Sequence, residues 1–379
     1  MLIELLNDLA GVSLFGYISF RVVMAVMTGF ALALVLGGPT VRWLAARRIG
    51  ERSDKNDLAQ VASVDSGKAG TPTMGGSFLI AALLGSALLW CRLDNVHVVL
   101  GLVLVAGLAA VGFVDDWIKL TDRTRNGLSP RGKLMGQLVI GLFVVGAMAW
   151  TAHASDRYSL LAIHPPFFKD WTLELGGSTL GVALFVAIGW VVVAGTSNAI
   201  NITDGMDGLA AGCTILAAAA LAVFCYVTGR WDWTGYLGIP HVPEASEMTV
   251  MGGALIGATA GFLWFNAPPA RVFMGDSGAL PLGGLLGWMA LVSKQELPLG
   301  LIALVPFAEL GSSALQRFSY RATGKRVFTI APLHHGLKEH GGIFRRSPTG
   351  GIPETTVVVR LWIVAALSGL ASLALLKVR

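Results

Sequence analysis

The chain has 379 residues, 54% of them hydrophobic and 13% charged, where an ordinary soluble protein has roughly 25% charged. That balance excludes an ordinary soluble enzyme and indicates a polytopic membrane protein. The net charge of +5 reports loop topology and attraction to anionic lipid, and gives no sign of nucleic-acid binding.

Crossing the hydrocarbon takes about 20 mostly apolar residues. Ten stretches are predicted as spans: 18–38, 74–91, 97–114, 134–151, 178–195, 207–228, 249–265, 278–293, 298–316 and 357–376. The segment ahead of the first stretch has no Lys or Arg and carries Glu4 and Asp8, which argues against a signal peptide and for an outside end. With the N-terminus outside, the loops after spans one, three, five, seven and nine hold most of the 28 Lys and Arg. The positive-inside rule then predicts an N-out, C-out protein whose odd-to-even loops face the cytoplasm. Cys91, Cys213 and Cys225 have neither metal-site spacing nor a disulfide framework, and are predicted to be free and structural. No internal repeat divides the chain, so residues 1–379 read as one domain.

The chemistry-bearing residues fall in those odd-to-even loops. Lys68 and the run Gly70-Thr71-Pro72-Thr73-Met74-Gly75-Gly76 open span two, where glycine and proline suggest backbone brought close to something. Asp115-Asp116 ends span three, and carboxylates at a membrane edge are functional candidates by default. Successive helical residues point about 100° apart, so one of the two is predicted to face a site while the other supports it, with Lys119 available to Asp115 at i+4.

The loop Asn198 to Gly208 joins spans five and six; Asp204 reads as a cap of span six and Asp207 as part of its first turn, although Asp-Gly is equally a plain turn signal. Asp276, in Phe273-Met274-Gly275-Asp276-Ser277-Gly278, opens span eight as either an N-cap or part of a phosphate site built on a helix N-terminus. The 40-residue loop 317–356 carries His334-His335, a weak zinc motif that suits phosphate recognition or proton transfer better. Its Gly341-Gly342 and Ser347 to Gly351 stretches read as turns. Ten helices with this topology place all of these loops on the cytoplasmic face. Oxygen ligands from aspartates, together with substrate phosphates, suit Mg²⁺. The residues therefore describe an enzyme that handles a phosphorylated substrate at the membrane surface.

In the same order, the runs Thr71 to Gly76, Gly112 to Asp116, Ser197 to Gly208, Val272 to Gly278 and Ala331 to His335 resemble the phospho-N-acetylmuramoyl-pentapeptide transferase family, and the resemblance covers essentially the whole chain. It implies a ten-helix fold in the bacterial inner membrane with both termini periplasmic. It also implies transfer of phospho-MurNAc-pentapeptide from UDP-MurNAc-pentapeptide to undecaprenyl phosphate, giving lipid I and UMP. Carried over by motif, Asp115, Asp116 and Asp276 are catalytic together with His334 and His335, and Mg²⁺ is held by Asp276 and Asn198. Lys68, Asp204, Gly205, Asp207, Asn266 and Phe273 line the nucleotide site, with Phe273 stacking on uracil. Lys133, Asn198 and Gln316 complete the substrate-binding set. The chain departs from the family in having Gly336 where a third consecutive histidine is usual.

In the mechanism this implies, Asp115 takes the proton of the lipid phosphate, whose oxygen attacks the sugar-proximal phosphorus directly. A route through a phosphorylated aspartate is the competing one. The alternatives for function are a transferase that loads another UDP-HexNAc on the same lipid, and a transporter with an intramembrane ion path. Membrane lipid is an expected partner, and a second copy of the chain is a candidate one.

Overall fold

A computed structural model describes residues 13–47, 70–121, 127–168 and 171–378. Lys68 and the segment read as an outside N-terminal end, residues 1–12, lie outside the described residues.

Each of the ten predicted stretches is helical. In chain order these are α1 (Ile18–Ala46), α2 (Gly76–Trp90), α3 (Val96–Thr121), α4 (Pro130–Ala154), α5 (Thr179–Thr203), α6 (Leu209–Thr228), the short α7 (Trp231–Leu237), α8 (Ala245–Asn266), α9 (Asp276–Val292), α10 (Leu299–Ile302), α11 (Leu304–Thr323), α12 (Leu333–His340) and α13 (Glu354–Val378). Seven of them, α1, α3, α4, α5, α6, α8 and α13, are long and apolar enough to cross a membrane among the described residues, and α2 is a shorter apolar helix. The ninth predicted stretch is broken, since Ala303 leaves helical geometry at φ −111°, ψ 45° and separates α10 from α11. Between α4 and α5 a two-residue antiparallel pair forms, β1 (Ala162–Ile163) and β2 (Leu173–Glu174). At two residues a strand, the pair leaves the all-α class intact, as expected from the sequence. All three cysteines are free and buried, as predicted.

The core is organised around α9, every residue of which from Asp276 to Val292 is buried. A helix apolar on all sides has no solvent face to present, and α9 is enclosed by α3, α5, α6 and α2. On its far side α8 packs against α1 and α6. Arg21, which falls inside the first stretch, is 2% exposed and forms a two-pronged pair with Glu247 of α8 at 2.6 and 2.7 Å. Burying a charge in this setting requires such a partner.

Helix ends differ from expectation where tertiary pairing intervenes. The apolar run ends at Val114, but α3 continues to Thr121. Asp115 and Asp116 therefore lie within the helix, with partners from other segments. On α3, beside them, Phe113, Val114 and Trp117 are exposed and apolar, as a lipid-facing surface would be.

Candidate active site

Three aspartates meet where α3, α4 and α9 converge. One oxygen from each of Asp115, Asp116 and Asp276 lies within 4.8 Å of the others. The close approach has a backbone cause: at Gly112, a side chain would run into the Asp276 carbonyl, so glycine lets α3 sit directly on the start of α9.

Both neighbouring aspartates lie in the cluster, where they serve different partners. Asp116 accepts the backbone N–H groups of Asp276 (3.3 Å) and Ser277 (3.0 Å). It thus caps α9 from another helix, placing a negative charge at the positive dipole end. The local N-cap position belongs to Gly275 at φ 71°, and a Cβ there would meet Asp116 Oδ2. Asp276 is consequently the first residue of the helix rather than its cap. Asp115 Oδ1 accepts the N–H of Leu128 at 2.8 Å.

Two lysines neutralise most of this charge. Lys119 Nζ lies 2.5 Å from Asp115 Oδ2, 3.4 Å from Asp116 Oδ1 and 3.6 Å from Asp276 Oδ2. Lys133, from the first turn of α4, binds Asp276 Oδ2 and lies 3.4 Å from Asp115 Oδ2. Three carboxylates against two ammonium groups leave one net negative charge. The Asp276 side chain is 11% exposed, against 1% and 2% for Asp115 and Asp116. An all-oxygen donor set with one carboxylate reaching outward fits a hard divalent cation.

The loops flanking this cluster are stitched to one another by backbone bonds. Gly75 and Gly76 donate to the carbonyls of Phe273 and Met274 at 2.9 and 2.8 Å, and Phe273 donates to Pro72 at 2.8 Å. Asp207 Oδ2 accepts the N–H of Ala270 at 3.0 Å, while the Asp207 N–H goes to Glu354. Helix α6 starts at Leu209 after Gly208 at φ 77°, which leaves Asp207 ahead of the helix and not in its first turn. Asp204 caps the end of α5 instead of the start of α6. Asn266, 3% exposed, accepts from Gly208 N and donates to the Val272 carbonyl, both at 2.9 Å. Its amide therefore ties the two loops together. Phe273 stays half-exposed beside them.

The histidines sit at the start of α12, in the 317–356 loop where a small element was predicted. Gly341 (φ 65°) ends that helix and Gly350 (φ 82°) makes the later turn, both as read from sequence. Glu309, buried in α11, accepts the His334 N–H at 3.2 and 3.4 Å and lies 3.3 Å from its Nδ1. His334 is fully buried, with its ring 4.4 Å from that of His335. Its Nε2 lies against Gly205, where a Cβ would collide with it. Contacts thus run from His334 through 205–208 and 266–275 to Asp276.

A side chain at Gly336 would place its Cβ 2.9 Å from Thr329 Oγ1, a hydroxyl already bonded to Gly342 and Ile343. A side chain there would oblige that hydroxyl to shift. Gln316 also serves the architecture of this loop, since its Oε1 accepts from Val327 and Phe328 at 2.9 and 3.0 Å.

Sequence reasoning passed over Glu309, Glu354 and Gln137. For Glu309 a signal was present, since an ionisable residue inside an apolar stretch is itself a functional pointer. Asn198 is on α5, donating to Gln137 Oε1 at 2.9 Å.

The chain matches the model of the family described as glycosyl transferase family 4 over residues 98–294. It is similar to phospho-N-acetylmuramoyl-pentapeptide-transferase of Maridesulfovibrio salexigens, at 40% identity over 100% of this chain and 99% of that one. Proteins of the same name from Maricaulis maris and Granulibacter bethesdensis are 39% and 41% identical, covering 99% and 97% of this chain and 98% and 96% of theirs. With matches of this length and identity over a site built from three converging carboxylates, the chain belongs to the phospho-N-acetylmuramoyl-pentapeptide-transferase family.

Proposed function

We propose that this protein transfers phospho-MurNAc-pentapeptide from UDP-MurNAc-pentapeptide to undecaprenyl phosphate, releasing UMP and forming lipid I. The reaction takes place at the cytoplasmic face of the bacterial inner membrane, with the chain crossing ten times as one domain, N-out and C-out. The observation that carries this reading is the Asp115–Asp116–Asp276 cluster with Lys119 and Lys133 upon it, at one end of a set of membrane-length helices.

The division of labour follows from what each carboxylate already touches. Asp116 has both oxygens on N–H groups of α9 and holds that helix start in place. Asp276 keeps an outward-facing oxygen and, with Asn198, would hold Mg²⁺. Bound there, the ion would neutralise phosphate charge and polarise the phosphorus under attack. Lys119 and Lys133 are long, flexible and partly exposed, so they can exchange a carboxylate for a phosphate oxygen as substrate arrives. That exchange frees Asp115 Oδ2 to accept the proton of the lipid phosphate. The lipid-phosphate oxygen then forms a bond to the sugar-proximal phosphorus, the anhydride bond to UMP breaks, and UMP leaves with the electron pair. The chain's part is chiefly alignment and charge balance, which is what phosphoryl transfer requires.

Phe273, Asp204, Gly205 and Asp207 would form the nucleotide side, with Asn266 and Gln316 holding the loops that carry it. His335 would meet the diphosphate, with the buried His334 beside it set between Glu309 and Gly205 to shape that part of the site. The lipid tail stays in the bilayer, which avoids extracting it at roughly 0.8 kcal/mol per buried CH₂.

The deciding assay is UMP release by the purified protein with UDP-MurNAc-pentapeptide, undecaprenyl phosphate and Mg²⁺, each omitted in turn. UMP should require all three. Turnover with UDP-GlcNAc in place of the muramoyl substrate would move the chain to the HexNAc-1-phosphate branch, and substrate flux without UMP would revive a transporter.

A further inference from the structure

Gln137 lies on α4 one turn beyond Lys133, and it is 2% exposed. It stands in a chain of hydrogen bonds whose two ends are backbone carbonyls, Leu280 O on α9 and Ala194 O on α5. Carbonyl oxygens only accept, so the direction of every bond between them is determined. The Ser197 hydroxyl donates its single hydrogen to Leu280 O at 2.9 Å and must therefore accept from Gln137 Nε2, at 3.2 Å. Gln137 accordingly presents Oε1 to Asn198, whose Nδ2 donates to it at 2.9 Å and to Ala194 O at 2.7 Å.

Both amide hydrogens of Asn198 are committed by this arrangement. Turning the amide over would set Oδ1 against two acceptor oxygens and break both bonds. The orientation therefore follows from fixed acceptors, and does not depend on distinguishing the amide nitrogen from the oxygen. Asn198 Oδ1 is left with no hydrogen-bond partner among the described residues. The chain of bonds lies one helical turn from the carboxylates: Leu280 is one turn beyond Asp276 on α9, and Gln137 is one turn beyond the Lys133 that binds Asp276.

We propose that Gln137 and Ser197 are positioning residues that lock the Asn198 amide with Oδ1 toward the carboxylate cluster, as a neutral oxygen donor for the divalent ion. The proposal rests on the reading that this cluster holds such an ion, and goes beyond it in assigning the orientation of one ligand to two residues that touch neither ion nor substrate.

The test is Mn²⁺ binding, followed by electron paramagnetic resonance on the full-length protein in detergent, for wild type, Gln137→Met, Ser197→Ala and Asp276→Asn. Gln137→Met keeps the volume but releases the amide, and should weaken Mn²⁺ binding about tenfold; Ser197→Ala removes only the anchor and should weaken it about threefold. UMP release should fall at limiting Mg²⁺ and recover at saturating Mg²⁺, with the KM for the lipid phosphate unchanged. A merely structural role would not show that recovery. Wild-type Mn²⁺ affinity in both variants, alongside lost binding in Asp276→Asn, would overturn the positioning role while leaving the metal site standing. Wild-type affinity in Asp276→Asn would overturn both. Should Gln137→Met fail to fold, Ser197→Ala with an unchanged melting midpoint decides the matter by the same criterion.

Discussion

Replacing Asp116 with alanine should damage the fold more than replacing Asp276 with asparagine does. Asp116 accepts two buried backbone N–H groups, at 3.3 and 3.0 Å. Without it those donors lose their acceptor, at about 1–3 kcal/mol each. The favourable charge at the start of α9 goes too, worth roughly 0.3–1 kcal/mol and up to about 2 kcal/mol in a partly buried setting. Against this, removing a negative charge beside Asp115 and Asp276 relieves repulsion, so a net loss of roughly 2–4 kcal/mol is expected. Asp276→Asn keeps the shape, and Lys133 retains Asp115 at 3.4 Å. Its cost should stay near about 1 kcal/mol, because neutralising one of three carboxylates that share two lysines also relieves their mutual repulsion. Reversible unfolding in mixed detergent micelles, followed by tryptophan fluorescence, measures the difference. Asp116→Ala unfolding within about 0.5 kcal/mol of wild type, the usual range for featureless positions, would show that Asp116 does not cap α9.

Asp115→Asn and Asp276→Asn should each lower UMP release by at least about a hundredfold, with elution and helicity unchanged; wild-type turnover in either would remove its assigned role. Gly205→Ala should lower kcat/KM by about tenfold or more, since its methyl group collides with His334 Nε2 and small displacements at a reacting centre carry penalties of that size. Undiminished activity would show that the imidazole moves aside freely. The third expectation concerns pH. Arg157, ahead of β1, bonds Glu244 at the start of α8 at 2.8 Å and holds its carboxyl below the ordinary 4.5. A depressed carboxylate contributes stability above its unfolded pKa and loses it as pH falls through the folded value. Wild type should therefore exceed Arg157→Ala by a constant margin, under about 1 kcal/mol for so exposed a pair, from neutral pH down to the ordinary glutamate value. The margin should close below that, and one that widened on acidification would contradict the assignment.

The helical stretches, seven of them long and apolar enough to cross a membrane among the described residues, were legible because each needs an apolar run, and such runs are visible in composition. Their ends were less so. Hydropathy stops at Val114, but α3 continues because Lys119, Lys133 and the start of α9 supply partners that no local window contains. The break at Ala303 and the β1–β2 pair likewise depend on packing rather than on local pattern. At the site, the identity of the carboxylates was legible and their convergence followed from topology. Their distinct roles were not. Whether an aspartate meets substrate or caps a helix depends on the N–H groups facing it, and those of Asp276 and Ser277 lie 160 residues or more from Asp116. Asn266 and Gln316 show the same limit: the backbone groups that their amides bond, Gly208 and Val272 for one and Val327 and Phe328 for the other, do not show in the residues beside them in sequence.

Asp116 of α3 against α9 and Glu309 of α11 against α12 are one device used twice, a carboxylate from a neighbouring helix gripping the first turn of another. Sliding either helix would sever these grips, so the anionic half of the centre is its rigid frame. Lys119 and Lys133, on long stems reaching in from the rim, form the compliant half. Under the proposed function, reactants of different bulk would be received by swinging cations alone, while the anvil against which the phosphorus is struck stays still.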